Sequence, residues 1–123
     1  MMEKEIFEVG NKIGKIKSVD AVYLFGSCAS GDVHTNSDID ICIIGDLNKK
    51  EKNSIFENIH SDRYDVSFFS ELPIWIKIRV FRGKALFIRN KERVYEACFR
   101  TLREYFDFKP AITRICGEAL CTI

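Results

Sequence analysis

The stretch Gly26-Ser27-Cys28-Ala29-Ser30-Gly31-Asp32-Val33-His34-Thr35-Asn36-Ser37-Asp38-Ile39-Asp40 decides how the rest of the chain is read. It follows the apolar run 21–25 (Ala-Val-Tyr-Leu-Phe), which reads as a buried strand that stops at Gly26. It leads into residues 38–44 (Asp-Ile-Asp-Ile-Cys-Ile-Ile), where Ile39, Ile41 and Ile43 share one face and Asp38, Asp40 and Cys42 the other. Two carboxylates are thus aimed from one face of one strand, and both can reach a shared cation. Hard oxygen ligands of this kind suit Mg²⁺, and paired cations hold the attacking and leaving oxygens of a phosphoryl transfer in line. Gly26, lacking a Cβ, lets the backbone approach a ligand closely, while Ser27 and the N–H groups of the turn can face a triphosphate. A Gly-Ser turn alone is an ordinary turn, and an Asp-x-Asp alone is commonly solvated. Their combination, set between two strands at fixed distance, points to one site for metal and phosphate.

The flanking sequence alternates in type. Residues 2–18 space Ile6, Val9, Ile13 and Ile16 as one face of a helix. Residues 50–60 predict a short helix and 64–69 a third strand, with Asp65 and Ser67 facing away from Val66 and Phe68. From Ser70 the alternation of Ile74, Ile76, Ile78 and Val80 also fits a strand, but a helix is preferred, capped by Ser70, with Pro73 in its first turn and Gly83 ending it in a left-handed conformation. Residues 85–88 read as a strand. Asn90 caps a last helix with a stripe of Val94, Cys98, Leu102 and Tyr105, stopped at Pro110, and the tail after it adds a helical turn or two. The expectation is an α/β (α+β) fold, a small mixed β-sheet packed with helices, forming a single domain over 1–123.

Composition narrows the function. The chain has 123 residues, 46% hydrophobic and 30% charged, with a net charge of +1. That balance fits one globular core and lacks the basic face of a dedicated duplex-DNA binder, so nucleic acid is not expected as a partner. Five cysteines without a CxxC pair read as core residues in a reducing compartment. The N-terminal Met1-Met2-Glu3-Lys4-Glu5 is not a secretory leader, and no apolar run is long enough for a membrane span, so a soluble cytoplasmic protein is expected. His34 and His60 read as surface and structural residues, and Trp75 as core. The cations between Lys77 and Arg93 read as a solvated helix face, with contacts to phosphate or to an acidic partner as the sharper alternative.

The Gly26–Asp40 segment resembles the Gly-Ser-x-Ala-x-Gly … Ser-Asp-x-Asp motif of the minimal nucleotidyltransferases, a branch of the polymerase-beta-like nucleotidyltransferase superfamily. Asp65, in Tyr64-Asp65-Val66-Ser67-Phe68, matches the family's third carboxylate. Gly83-Lys84-Ala85-Leu86-Phe87 and Tyr105-Phe106-Asp107-Phe108-Lys109-Pro110 resemble later stretches of archaeal and bacterial members.

The resemblance implies the nucleotidyltransferase fold, two Mg²⁺ ions held by Asp38, Asp40 and Asp65, and ATP or another NTP whose β- and γ-phosphates rest on Gly26 and Ser27. Asp65 would also help deprotonate the incoming hydroxyl. Ser30 departs from the arginine common in relatives, which puts one phosphate or loop contact in question. With no room in 123 residues for thumb and finger domains, a single nucleotide transfer is expected. The resemblance implies an antitoxin that adenylylates a tyrosine of a HEPN-type toxin. The alternatives are a small-molecule nucleotidyltransferase and a non-catalytic antitoxin that occludes its partner.

Overall fold

A computed structural model describes residues 2–26, 39–59 and 63–116. The elements in order are α1 (Met2–Ile13), β1 (Val19–Phe25), β2 (Ile39–Gly45), α2 (Lys49–Asn58), β3 (Tyr64–Phe68), a 3₁₀ turn at Phe69–Glu71, α3 (Ile74–Phe81), β4 (Lys84–Ile88) and α4 (Lys91–Cys116). The strands form one sheet in the order β3-β2-β1-β4. β1 pairs antiparallel with β2 and with β4, whereas β2 and β3 run parallel. The parallel pair follows from the connection, because α2 carries the chain back to the starting edge of the sheet. The mixed sheet packed with helices is the expected architecture.

Alternation along the strands sorts the core into two layers. Val22, Leu24, Ile39, Ile41, Ile43 and Phe68 meet Ile6 and Ile13 of α1 and Ile55 of α2 on one face. Ala21, Phe25, Cys42 and Ile44 meet Phe69, Val80 of α3 and Val94 of α4 on the other. Val19 would fall on the second face by strict period two. The register shift between Val19 and Ala21 turns it toward the first, where it is fully buried.

α2 is held at its start by a capping box. The Asn48 side chain accepts the Glu51 N–H at 2.8 Å, and the Glu51 carboxylate accepts the Asn48 N–H at 3.0 Å. The Ser18 hydroxyl donates to the other Glu51 oxygen at 2.8 Å, so the cap also fastens the turn before β1. These bonds, the Asn48 backbone first, hold the Glu51 carboxyl below its ordinary range. Asn48→Ala is therefore expected to cost about 1 kcal/mol and a few degrees of melting temperature, measurable by thermal denaturation.

Several sequence expectations need correction. α1 ends at Ile13 rather than Ser18; the N–H groups of Lys15 and Ile16 bond three residues back, a tightening that closes the helix at Gly14. Ser70 does not cap α3. A residue before proline avoids the helical region, so Leu72 is extended (φ −85°, ψ 146°) and the helix begins only after Pro73. Gly83 is not left-handed, since the glycines of positive φ among the described residues are Gly26 and Gly45. Gly83 is needed for closeness instead: a Cβ there would collide with the Leu24 carbonyl oxygen of β1.

α4 continues through Pro110 to Cys116. Proline there forfeits one N–H bond to the Phe106 carbonyl, a local loss that does not end a helix with turns formed on both sides. The inward stripe of α4 runs through Val94 and Thr101, with Leu102 turned outward; the Thr101 hydroxyl donates to the Ala97 carbonyl at 2.7 Å. Trp75 is 46% exposed rather than core, because Ile76, Val80 and Phe81 make up the inward side of α3. No helix among the described residues is long and apolar enough to cross a membrane.

Candidate active site

The acid pair is placed by strand register. Asp40 lies in central strand β2, opposite Phe25 of β1 on one side and Asp65 of β3 on the other. Because Ile39, Ile41, Val66 and Phe68 all point into the first core layer, Asp40 and Asp65 both project from the second face. Neighbouring strands are about 4.8 Å apart, so two carboxylates in direct register stand side by side. Asp40 is half-buried and Asp65 exposed, so the pair opens to solvent from the edge of the sheet.

Gly26 completes this corner. It follows Phe25, the partner of Asp40, and has φ +78°, a conformation that L side chains rarely adopt. A Cβ at Gly26 would stand 2.6 Å from Asp40 Oδ2. The missing side chain is the space the Asp40 carboxylate occupies, and Gly26 itself is exposed. Gly26, Asp40 and Asp65 are thus brought together. Ser27, Asp38, Ser30 and His34, like His60, lie outside the described residues. Among the described residues no three His, Cys, Asp or Glu side chains form a cluster. The two acids that do meet offer hard oxygen donors of the type Mg²⁺ takes.

The floor behind Asp40 is apolar and inert. Cys42 is fully buried, and burial pushes its thiol up to about 12, with Lys77 pulling weakly the other way. It stays a thiol at neutral pH and is no nucleophile. Between the unfolded value of 9.0 and about 12, the folded chain keeps a proton the unfolded chain has released. Stability from this group is therefore intact below pH 9 and lost as pH rises toward 12, at up to about 1.4 kcal/mol per pH unit. Denaturant melts at about pH 8 and about pH 10.5 should show a shallower alkaline loss in Cys42→Ala than in the wild type.

The basic stretch divides by role. Lys77 of α3 lies over the Phe69 ring at 5.1 Å, on the face that carries the acid pair. Lys84 lies over Phe7 of α1 at 5.1 Å, on the opposite face. Arg89 donates to the carbonyls of Val19 at 3.0 Å and of Gly14, tying the end of β4 to the α1–β1 turn, and Arg93 pairs with Asp20 at 3.5 Å. Arg89 and Arg93 are therefore structural ties, a role that charge alone did not reveal. A separate groove of about 350 Å³ between α2 and β3, lined by Lys49, Lys52, Phe56 and Phe68 among others, lacks both acids.

Residues 8–92 match the family model described as Polymerase beta, Nucleotidyltransferase. The chain belongs to this family. As a polymerase beta nucleotidyltransferase it is an enzyme of nucleotide transfer, and the matched span covers Gly26, Asp40 and Asp65. A Methanocaldococcus jannaschii protein named as a protein adenylyltransferase is 25% identical over 99 residues, 79% of this chain and 78% of that protein.

Solved structures share the fold. A chain of a toxin–antitoxin complex with AMP-PNP superposes with a TM-score of 0.74 at 20% identity, over 98% of this chain and 99% of that one. A chain of the tri-AMPylated Shewanella oneidensis HEPN toxin in complex with its MNT antitoxin gives 0.66 at 17%, over 96% and 95%. One from the toxin–antitoxin complex MntA-HepT gives 0.64 at 18%, over 96% of each. At these identities the likeness establishes the nucleotidyltransferase fold.

Proposed function

We propose that this nucleotidyltransferase is a Mg²⁺-dependent protein adenylyltransferase that moves AMP from ATP to a tyrosine hydroxyl of a HEPN-type toxin and so acts as its antitoxin. The observation that carries the reading is the corner at the sheet edge, where Asp40 and Asp65 stand in register on one face and Gly26 leaves room for the Asp40 carboxylate. An occluding protein has no need of two like charges held side by side. The relative named as a protein adenylyltransferase and the shared fold with MNT antitoxins support the choice of acceptor.

In this reading Asp38 and Asp40 would hold two Mg²⁺ ions, with Asp65 contributing a third carboxylate to the same metals. When bound, the metals neutralise the triphosphate and lower the pKa of the acceptor hydroxyl. Gly26 and Ser27 take the β- and γ-phosphates through backbone and hydroxyl donors. The acceptor oxygen forms its bond to the α-phosphorus as the bond to the β-phosphate bridging oxygen breaks; pyrophosphate leaves, and Asp65 accepts the hydroxyl proton. The exposure of Asp65 admits a side chain carried by another protein.

The test incubates the full chain with Mg²⁺, α-labelled ATP and a HEPN-type toxin. The expected result is label on a toxin tyrosine with release of pyrophosphate. Toxin neutralised without label, equally well by Asp40→Asn, would overturn the reading in favour of occlusion.

A further inference from the structure

The outer side of α4 carries a seam that the nucleotide-transfer site does not use. Tyr95, Phe99, Leu102 and Phe106 follow one another at spacings of four, three and four residues, within a narrow arc of the helix. They are 62%, 71%, 38% and 64% exposed. With aromatic side chains presenting ~150–250 Å² each, the seam leaves roughly 400–500 Å² of apolar surface in water, the size of the largest patch on an ordinary monomer. Phe106 also makes an edge contact with the Tyr105 ring at 5.9 Å.

We propose that this seam is a dimerisation surface whose occupant is α4 of a second copy, packed antiparallel about a two-fold axis between residues 100 and 101. The seam is complementary to itself in that arrangement: Tyr95 meets the partner's Phe106 and Phe99 meets the partner's Leu102, filling four apolar layers without a gap. The same axis sets Glu96, which flanks the seam, beside the partner's Arg103, and Arg103 beside the partner's Glu96, as an isologous interface requires. Glu96 is exposed and its bond to Arg100, at 3.9 Å between two exposed groups, is weak enough to be shared. Two copies of the seam bury roughly 800–1,000 Å² and the flanking polar residues add to it, the size of a weak, transient interface, which fits a dimer that dissociates on dilution. This inference does not depend on the proposed reaction.

The full-length wild type should sediment as a dimer at concentrations on the order of 100 μM and dissociate on dilution. Phe99→Glu, at a position already in water, should keep the wild-type circular dichroism and weaken dimerisation at least about 30-fold. Glu96→Arg and Arg103→Glu should each weaken it, and the double exchange should restore it, because only pairing with a second copy regains opposite charges. A monomeric wild type at the highest concentration would overturn the proposal. So would a Phe99→Glu dimer of wild-type strength, a failed restoration by the double exchange, or a seam needed only for holding a different protein.

Discussion

Asp40→Asn is expected to lower AMP transfer by two to three orders of magnitude while the metal-free protein melts no lower than the wild type. Asparagine preserves the volume and the strand register but removes the charge that a hard cation selects, and loss of one preorganised group acting on developing charge costs about 10²–10³ in rate. The stability half follows from the sheet. Asp40 and Asp65 are direct partners in the β2–β3 ladder, and like charges directly opposite destabilise a pair by a few tenths to about 1 kcal/mol. Removing one charge relieves that repulsion. Single-turnover transfer and thermal melts in EDTA read the two halves separately; a melting point several degrees below wild type would make Asp40 a structural residue.

Gly26→Ala should reduce transfer about 100-fold without changing either carboxylate. Two costs combine at this position. The left-handed φ of +78° costs an L-residue about 1–2 kcal/mol, and the new Cβ would lie 2.6 Å from Asp40 Oδ2. The Asp40 carboxylate has to move away, and a displacement of the order of 1 Å in a reacting group is enough for a 10²-fold loss. Gly26→Val should be worse, since a branched side chain at positive φ is a backbone outlier. Steady-state transfer by both variants, with circular dichroism as the control for folding, measures this. Wild-type rates in Gly26→Ala would mean that the corner tolerates a side chain and that the close fit has no catalytic role.

The sheet was legible in the sequence wherever one face of a strand differs from the other. The alternation of Ile39, Ile41 and Ile43 with Asp40 and Cys42 fixes which way the carboxylate points, and the same period in Tyr64–Phe68 places Asp65 on the matching face. What alternation could not supply was the pairing itself, because the direct register of Asp40 with Asp65 depends on how α2 returns the chain. Helix ends were read less well. Ser70 and Gly83 have the residue types of caps, yet Pro73 constrains the residue before it, and Gly83 answers to the Leu24 carbonyl across the sheet, a contact 59 residues away in sequence. The outward seam of α4 was missed for a related reason. Its inward side mixes Thr101 with Val94 and Ala97, so hydrophobicity alone favoured Leu102 as a core residue, and only packing separates the two faces.

The central claim is that the acid pair beside Gly26 holds a metal-bound nucleotide. Calorimetric titration of the full chain with a non-hydrolysable ATP analogue, in the presence and absence of Mg²⁺, tests it most directly and needs no acceptor protein. The account predicts Mg²⁺-dependent binding that weakens at least about 10-fold in both Asp40→Asn and Asp65→Asn, the range seen when a metal's supporting groups are lost. Binding that is indifferent to Mg²⁺, or unchanged in both variants, would contradict it.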